Sequence, residues 1–289
     1  MDSLYVQTPI LESTPLSKEI GVPVYLKMEA LQPCGSFKNR GAAILLSDFA
    51  ARGKRDFVTA SWGNAGLCLA YCCRMLGCSL KVIVPLQTSS LMKGKIEQEG
   101  AELILFGNDF EEAKNKAKEI ALAEEITYVD PHDHPLITEG ISTLVYEIFG
   151  AGLKPAAIVL PVGYGELLAG VVQGLIACKW KDIPIITAET ESSCPFATAL
   201  FTDEKHAKGI IPKLFLSLEN VTIYPQIVTE KAAFHAAHRF ADDTRVLIEP
   251  ESAAALALVY QNLPLLKTFS SILVIVSGGS NVTLSSFSS

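Results

Sequence analysis

The chain has 289 residues, 49% hydrophobic and 19% charged, enough apolar material for one large domain or two moderate ones. Net charge is −7 and the 24 basic residues are scattered, which argues against nucleic acid or an anionic membrane as partner. No apolar run reaches the roughly 18 residues that span a bilayer, and Met1-Asp2-Ser3-Leu4 does not open a secretory signal, so the expected address is cytoplasmic.

Short β-branched runs alternate with helical patterns along the whole length. Strands are predicted at Val24–Met28, Phe57–Ala60, Lys81–Pro85, Leu103–Phe106, Ile158–Pro161, Ile185–Ala188 and Leu273–Val276. Helices are predicted near Asn64–Leu76, Ser90–Gln98, Phe110–Ala123, Ile137–Phe149, Glu166–Cys178, Glu230–Phe240 and Glu251–Tyr260. Strands that are polar only at their ends belong to parallel sheets covered on both faces, so the fold class is α/β. Cys68, Cys72 and Cys73 fall in an apolar helical run and read as small buried hydrophobes; no CxxC pair exists.

In chain order, the first stretch with chemistry is Gly35-Ser36-Phe37-Lys38-Asn39-Arg40-Gly41-Ala42. Ser36 reads as an N-cap, with a helix continuing through Ala42–Leu46. Lys38 then sits in or near the first turn, where the helix dipole disfavours a cation and Phe37 partly buries it. Such a lysine loses its proton easily, and the neutral amine is the form that attacks a carbonyl.

Four loops at strand ends follow. Ser61-Trp62-Gly63-Asn64-Ala65-Gly66 offers a hydroxyl, an amide and backbone N–H groups to a carboxylate or phosphate, or simply caps its helix. Val162-Gly163-Tyr164-Gly165-Glu166-Leu167 has the strand, glycine turn, helix order of a phosphate cradle but not the spacing of a dinucleotide fingerprint. Glu189 follows Ile185–Ala188 and reads as a cap or an oxygen ligand, and Ser277-Gly278-Gly279-Ser280-Asn281 closes the last strand. His132 with His134, and His235 with His238, lack a third ligand at metal-site spacing and are read as solvated or capping.

Taken together and in order, these segments resemble the fold-type II pyridoxal-phosphate enzymes (tryptophan synthase β-like), and most closely their L-serine dehydratase/L-threonine deaminase branch. The similarity also includes Thr8-Pro9, Leu26-Lys27-Met28-Glu29 before Gln32-Pro33, Pro135-Leu136-Ile137, Glu139-Gly140, Val171-Val172-Gln173-Gly174-Leu175 and Glu249-Pro250. The resemblance implies two domains with parallel sheets covered by helices: residues 1–38 with 134–289 as the large domain and 39–133 as a smaller inserted one. It implies pyridoxal 5'-phosphate on Lys38 as a Schiff base, with Phe37, Asn64 and Ser277 around the ring. Gly163, Tyr164, Gly165, Glu166 and Leu167 would hold the phosphate, and Ser61, Trp62, Gly63 and Asn64 the substrate carboxylate. Glu189 matches a monovalent-cation ligand. The implied reaction is β-elimination from L-serine or L-threonine to a 2-oxoacid and ammonia, in a homodimer.

The chain departs from that pattern where Trp62 replaces a small residue and where Tyr164 and Glu166 interrupt a nearly pure glycine loop. Trp62 is expected to narrow the substrate pocket. The Glu166 side chain is expected to swing outward, leaving only its backbone N–H for the phosphate. The stretch from Phe201 to Glu230 reads as shortened, without the segment that runs along the cofactor's face in the family. The alternatives are racemisation or β-replacement on the same scaffold, or a catalytically silent homologue binding a small metabolite. A nicotinamide oxidoreductase is the weakest reading.

Overall fold

A computed structural model describes residues 4–202 and 221–287; the shortened stretch noted above falls largely outside them. Among these residues there are two sheets. The larger has the order β1-β2-β10-β7-β8-β9, built from Ile10–Glu12, Val24–Lys27, Ile272–Ile275, Ala157–Pro161, Ile185–Thr190 and Ile223–Val228. All its pairs are parallel except the antiparallel edge pair β1–β2. The smaller is parallel throughout, in the order β5-β4-β3-β6, from Glu102–Leu105, Ser79–Val84, Asp56–Ala60 and Thr127–Tyr128. Its strands all lie between residues 56 and 128.

Alternation along each strand explains how both faces are covered. Ile158 and Leu160 of β7 join a core that also takes Phe57, Val82 and Val84 from the smaller sheet, while Ala157 and Val159 face the opposite side. Between the sheets run α2 (Lys38–Ala51), α3 (Asn64–Leu76), α6 (Pro135–Gly150) and α7 (Glu166–Ala177), which fill the shared core. The outer face of the large sheet is covered by α1 (Thr14–Ile20), α9 (Glu230–Thr244) and α10 (Pro250–Tyr260). On the outer face of the small sheet, Val58, Ala60 and Ile83 meet Ala113 and Ala117 of α5 (Phe110–Ala123). The remaining α-helices among the described residues are α4 (Ser90–Gln98) and α8 (Pro195–Thr202).

All seven strands and seven helices predicted from the pattern are present, with ends shifted by a few residues at most. Elements without a usable pattern escaped it. β1 has three residues and β6 two, and β9 carries Pro225, tolerated because β9 is an edge strand. Cys68, Cys72 and Cys73 are buried and unbridged, as their apolar setting suggested.

The crossing of α2 and α6 fixes where the first of the chemical segments sits. A Cβ on Gly140 would lie 2.4 Å from the Arg40 carbonyl oxygen and 2.8 Å from Gly41 Cα. Two glycines therefore let the helix backbones touch, and this sets the height of the α2 N-terminus above the large sheet. No helix among the described residues is long and apolar enough to cross a membrane.

Candidate active site

The carboxyl ends of β3, β7, β8 and β10 open onto one cavity of about 460 Å³, the position that open parallel sheets reserve for ligands. The N-termini of α2, α3 and α7 point into it, as the linings from Lys38, Asn64 and Glu166 show. Residues spread from 36 to 281 of the sequence thus meet in one place.

Lys38 is the first residue of α2, as predicted, but Ser36 is not its N-cap. Phe37 occupies that position in helical conformation, and Ser36 Oγ makes only a long 3.4 Å contact with the Lys38 N–H. Ser36 is instead bridged to Gly278, and the Phe37 N–H donates to the Ser277 carbonyl at 3.1 Å. The last strand's loop therefore pins the lysine motif. Lys38 Nζ lies 5.1 Å from the Phe37 ring centre, and burial lowers its pKa to about 8.

The turn after β7 has the form of an anion cradle. Gly165 caps α7 at φ 98°, a left-handed conformation that glycine adopts without strain. Among the described residues, the backbone N–H groups of Gly163, Tyr164, Gly165, Glu166 and Leu167 donate to no protein acceptor. Five free donors at a helix N-terminus form a site for a dianion.

Glu166 corrects the expectation that its side chain turns outward. It is 4% exposed and directed inward, where Oε1 accepts from Lys38 Nζ and lies 3.2 Å from His132 Nδ1. A carboxylate can be buried here because a cation and a second hydrogen-bonding group meet it. His132, read from sequence as solvated or capping, is neither: its ring stacks on Tyr164 at 4.2 Å and 15°. Burial, then the Lys38 and Lys114 charges, hold it well below the usual histidine range, so it is neutral at pH 7. His134 does cap, its Nδ1 accepting from the Leu136 N–H at 3.1 Å.

Ser61, Trp62, Gly63 and Asn64 all line the cavity. Ser61 Oγ accepts from the Gly66 N–H at 2.9 Å and so caps α3 from inside. Asn64 is held at both ends of its amide: Nδ2 donates to Glu249 at 2.9 and 3.1 Å, and Oδ1 accepts from the Ser280 N–H at 2.8 Å. Burial raises the Glu249 pKa. Trp62 stands half-exposed at the mouth, edge-on to Phe110 with centroids 5.7 Å apart. The Ser277 hydroxyl donates to Ser252 Oγ at 2.9 Å, which also receives the Gly278 N–H. Of the two readings left open for Glu189, the structure shows the cap: its oxygens accept from the Phe196 and Ala197 N–H groups at 2.9 and 2.7 Å. No cluster of three or more His, Cys, Asp or Glu suited to a metal occurs among the described residues.

The donor set fits pyridoxal phosphate. Five unpartnered N–H groups suit a phosphate, a lysine of lowered pKa suits an aldehyde, and the one departure is the Glu166 carboxylate beside that lysine. Sequence reasoning missed His132, Phe110 and Glu249 as members of the site. His132 and Phe110 carry no motif, and Glu249 stood only in the matched segment Glu249-Pro250 with no role assigned; all three reach the site because β6, α5 and α10 deliver their neighbouring loops to the same sheet edge.

The sequence model of the pyridoxal-phosphate dependent enzyme family matches residues 1–278. A mouse protein named serine dehydratase-like is 38% identical over 298 residues, covering 96% of this chain and 91% of the mouse protein. Human L-serine dehydratase/L-threonine deaminase is 38% identical over 309 residues, covering 98% and 93%. The fold of an L-serine ammonia-lyase from the fungus Rhizomucor miehei matches with a TM-score of 0.90 at 33% identity, over 99% of this chain and 98% of the fungal one.

Proposed function

Because the chain belongs to the pyridoxal-phosphate dependent enzymes, we propose that it is an ammonia-lyase that converts L-serine or L-threonine to a 2-oxoacid and ammonia. The observation that carries this reading is the convergence of Lys38 and the unpartnered N–H groups of Gly163 to Leu167 on one cavity. When bound, the cofactor supplies an electron sink for the pair left at Cα.

The chain's own residues do the rest. The N–H groups of Gly163 to Leu167 would hold the phosphate, and the Ser277 hydroxyl, fixed by Ser252, would meet the ring nitrogen without the charge that a carboxylate brings there. Ser61 to Asn64 receive the substrate carboxylate at the start of α3, where partial positive charge favours it. Lys38 Nζ, poised near 8, takes the proton from Cα. Phe110, Trp62 and Tyr164 wall the mouth and limit water. In this reading residues 39–133 form the small inserted domain.

The contact between Lys38 and Glu166 favours a second reading, a silent homologue in which the carboxylate keeps the lysine charged. The test is visible absorbance with added pyridoxal phosphate, followed by 2-oxoacid formation from L-serine and L-threonine. Borohydride reduction and peptide mapping should place the cofactor on Lys38. A label on another lysine, or colour without 2-oxoacid, refutes the ammonia-lyase reading.

A further inference from the structure

The mechanism above gives the proton from Cα to Lys38 but leaves unassigned the proton that the departing β-hydroxyl needs. Hydroxide is a poor leaving group, so a positioned acid is worth on the order of 10²–10⁴-fold in rate. We infer that Glu166 is that acid: it takes the proton from Lys38 and delivers it to the β-oxygen as the Cβ–O bond breaks. This inference rests on the ammonia-lyase reading.

The geometry carries it. Glu166 Oε1 is the acceptor that Lys38 Nζ meets, and the Glu166 side chain lines the same cavity as the substrate loop Ser61 to Asn64. No other carboxylate among the described residues pairs with Lys38: Glu249 is committed to Asn64 and Asn281, and Glu189 to α8. His132 Nδ1 at 3.2 Å and the ring of Tyr164 stacked on it keep the carboxyl turned inward. His132 is thus a positioning residue, itself held neutral by burial and by the Lys38 and Lys114 charges. A phosphate gathered by the N–H groups of the same turn disfavours a second negative charge there, which makes the carboxyl accept the proton of Lys38.

The step balances. The Cα–H bond gives its proton to Lys38 Nζ and its electron pair to the new Cα–Cβ double bond. The Cβ–O pair leaves on oxygen, and the proton that Lys38 hands to Glu166 turns that oxygen into water. No oxidant or reductant is involved.

The test exploits a leaving group that needs no proton. Wild-type protein and the variants Glu166→Gln and Glu166→Asp are loaded with cofactor. Loading is read by absorbance titration at several pH values, and turnover per loaded site is measured with L-serine and with β-chloro-L-alanine, whose chloride departs unprotonated. Glu166→Gln should still load cofactor, and its loss of turnover should be on the order of 100-fold greater with L-serine than with β-chloro-L-alanine. Glu166→Asp, which keeps the acid, should recover part of the serine rate. Equal losses on both substrates, or no loss on either, overturn the assignment. A wild-type chain that loads cofactor but eliminates neither substrate overturns the ammonia-lyase reading, and the assignment with it.

Discussion

Two residues beyond Lys38, α2 buries an arginine completely, and replacing it should be the most damaging single change to the scaffold of the site. Arg40 donates to Glu29 through Nε at 2.7 Å and Nη2 at 2.8 Å, and to Glu147 through Nη1 at 2.6 Å and Nη2 at 2.8 Å. Nη1 also reaches Thr143 Oγ1 at 2.9 Å. Lys27, equally buried, donates to Glu147 and, at 2.7 Å, to the Thr8 carbonyl oxygen. Two cations and two carboxylates therefore balance. In Arg40→Ala, Lys27 stays with Glu147, and Glu29 keeps only the Thr8 hydroxyl at 2.6 Å and the Gln32 amide at 3.3 Å. Breaking a buried pair by deleting one partner costs about 3–5 kcal/mol, because the other charge stays buried. At roughly 2–4 °C per kcal/mol for chains of this size, the midpoint of thermal unfolding should fall on the order of 10 °C. Arg40→Lys keeps the charge without the planar fork and should recover only part of that loss. Scanning calorimetry measures the midpoint, and cofactor absorbance at low temperature reports whether α2 still presents Lys38. A loss below about 1 kcal/mol would show that the network is energetically neutral and refute the argument.

Gly140→Ala drives a methyl into the α2 backbone 2.4 Å away, so α2 must shift; a loss of at least about 1–3 kcal/mol in denaturant unfolding is expected, together with weaker cofactor binding. Trp62→Ala removes a half-exposed ring whose one aromatic partner among the described residues is Phe110; stability should fall by no more than about 1.5 kcal/mol, while KM for serine or threonine decreases as the mouth widens. An increased KM would mean that the ring contacts the substrate favourably. Because burial lowers the Lys38 pKa, its neutral amine accumulates as pH rises through about 8, and cofactor uptake by stripped protein should accelerate there and level off about one unit higher. Uptake rising only near 10.5, the ordinary lysine value, would contradict the buried setting of the amine.

The sequence by itself determined the class of fold and the location of the chemistry, because both are written in local periodicity. Alternating β-branched strands and helices fix a parallel α/β architecture. A glycine turn that leads from a strand into a helix leaves its N–H groups free wherever it sits, so Gly163 to Leu167 were legible as a cradle. The same holds for Lys38 at a helix start. Tertiary structure alone decided the partners of buried charges, because these depend on which elements cross. Thr8, Lys27, Glu29 and Gln32 stood in the sequence as matched segments without a physical role; around Arg40 and Glu147 they become one buried ionic network that moors α2 to β2 and α6. Glu166 shows the same limit. Dipole and cradle arguments, which are local, sent its side chain outward, whereas Lys38, 128 residues away, and His132, 34 residues away, draw it in. A buried cation outweighs the few tenths to 1 kcal/mol that a helix dipole offers an exposed carboxylate, and no spacing in the chain encodes that meeting.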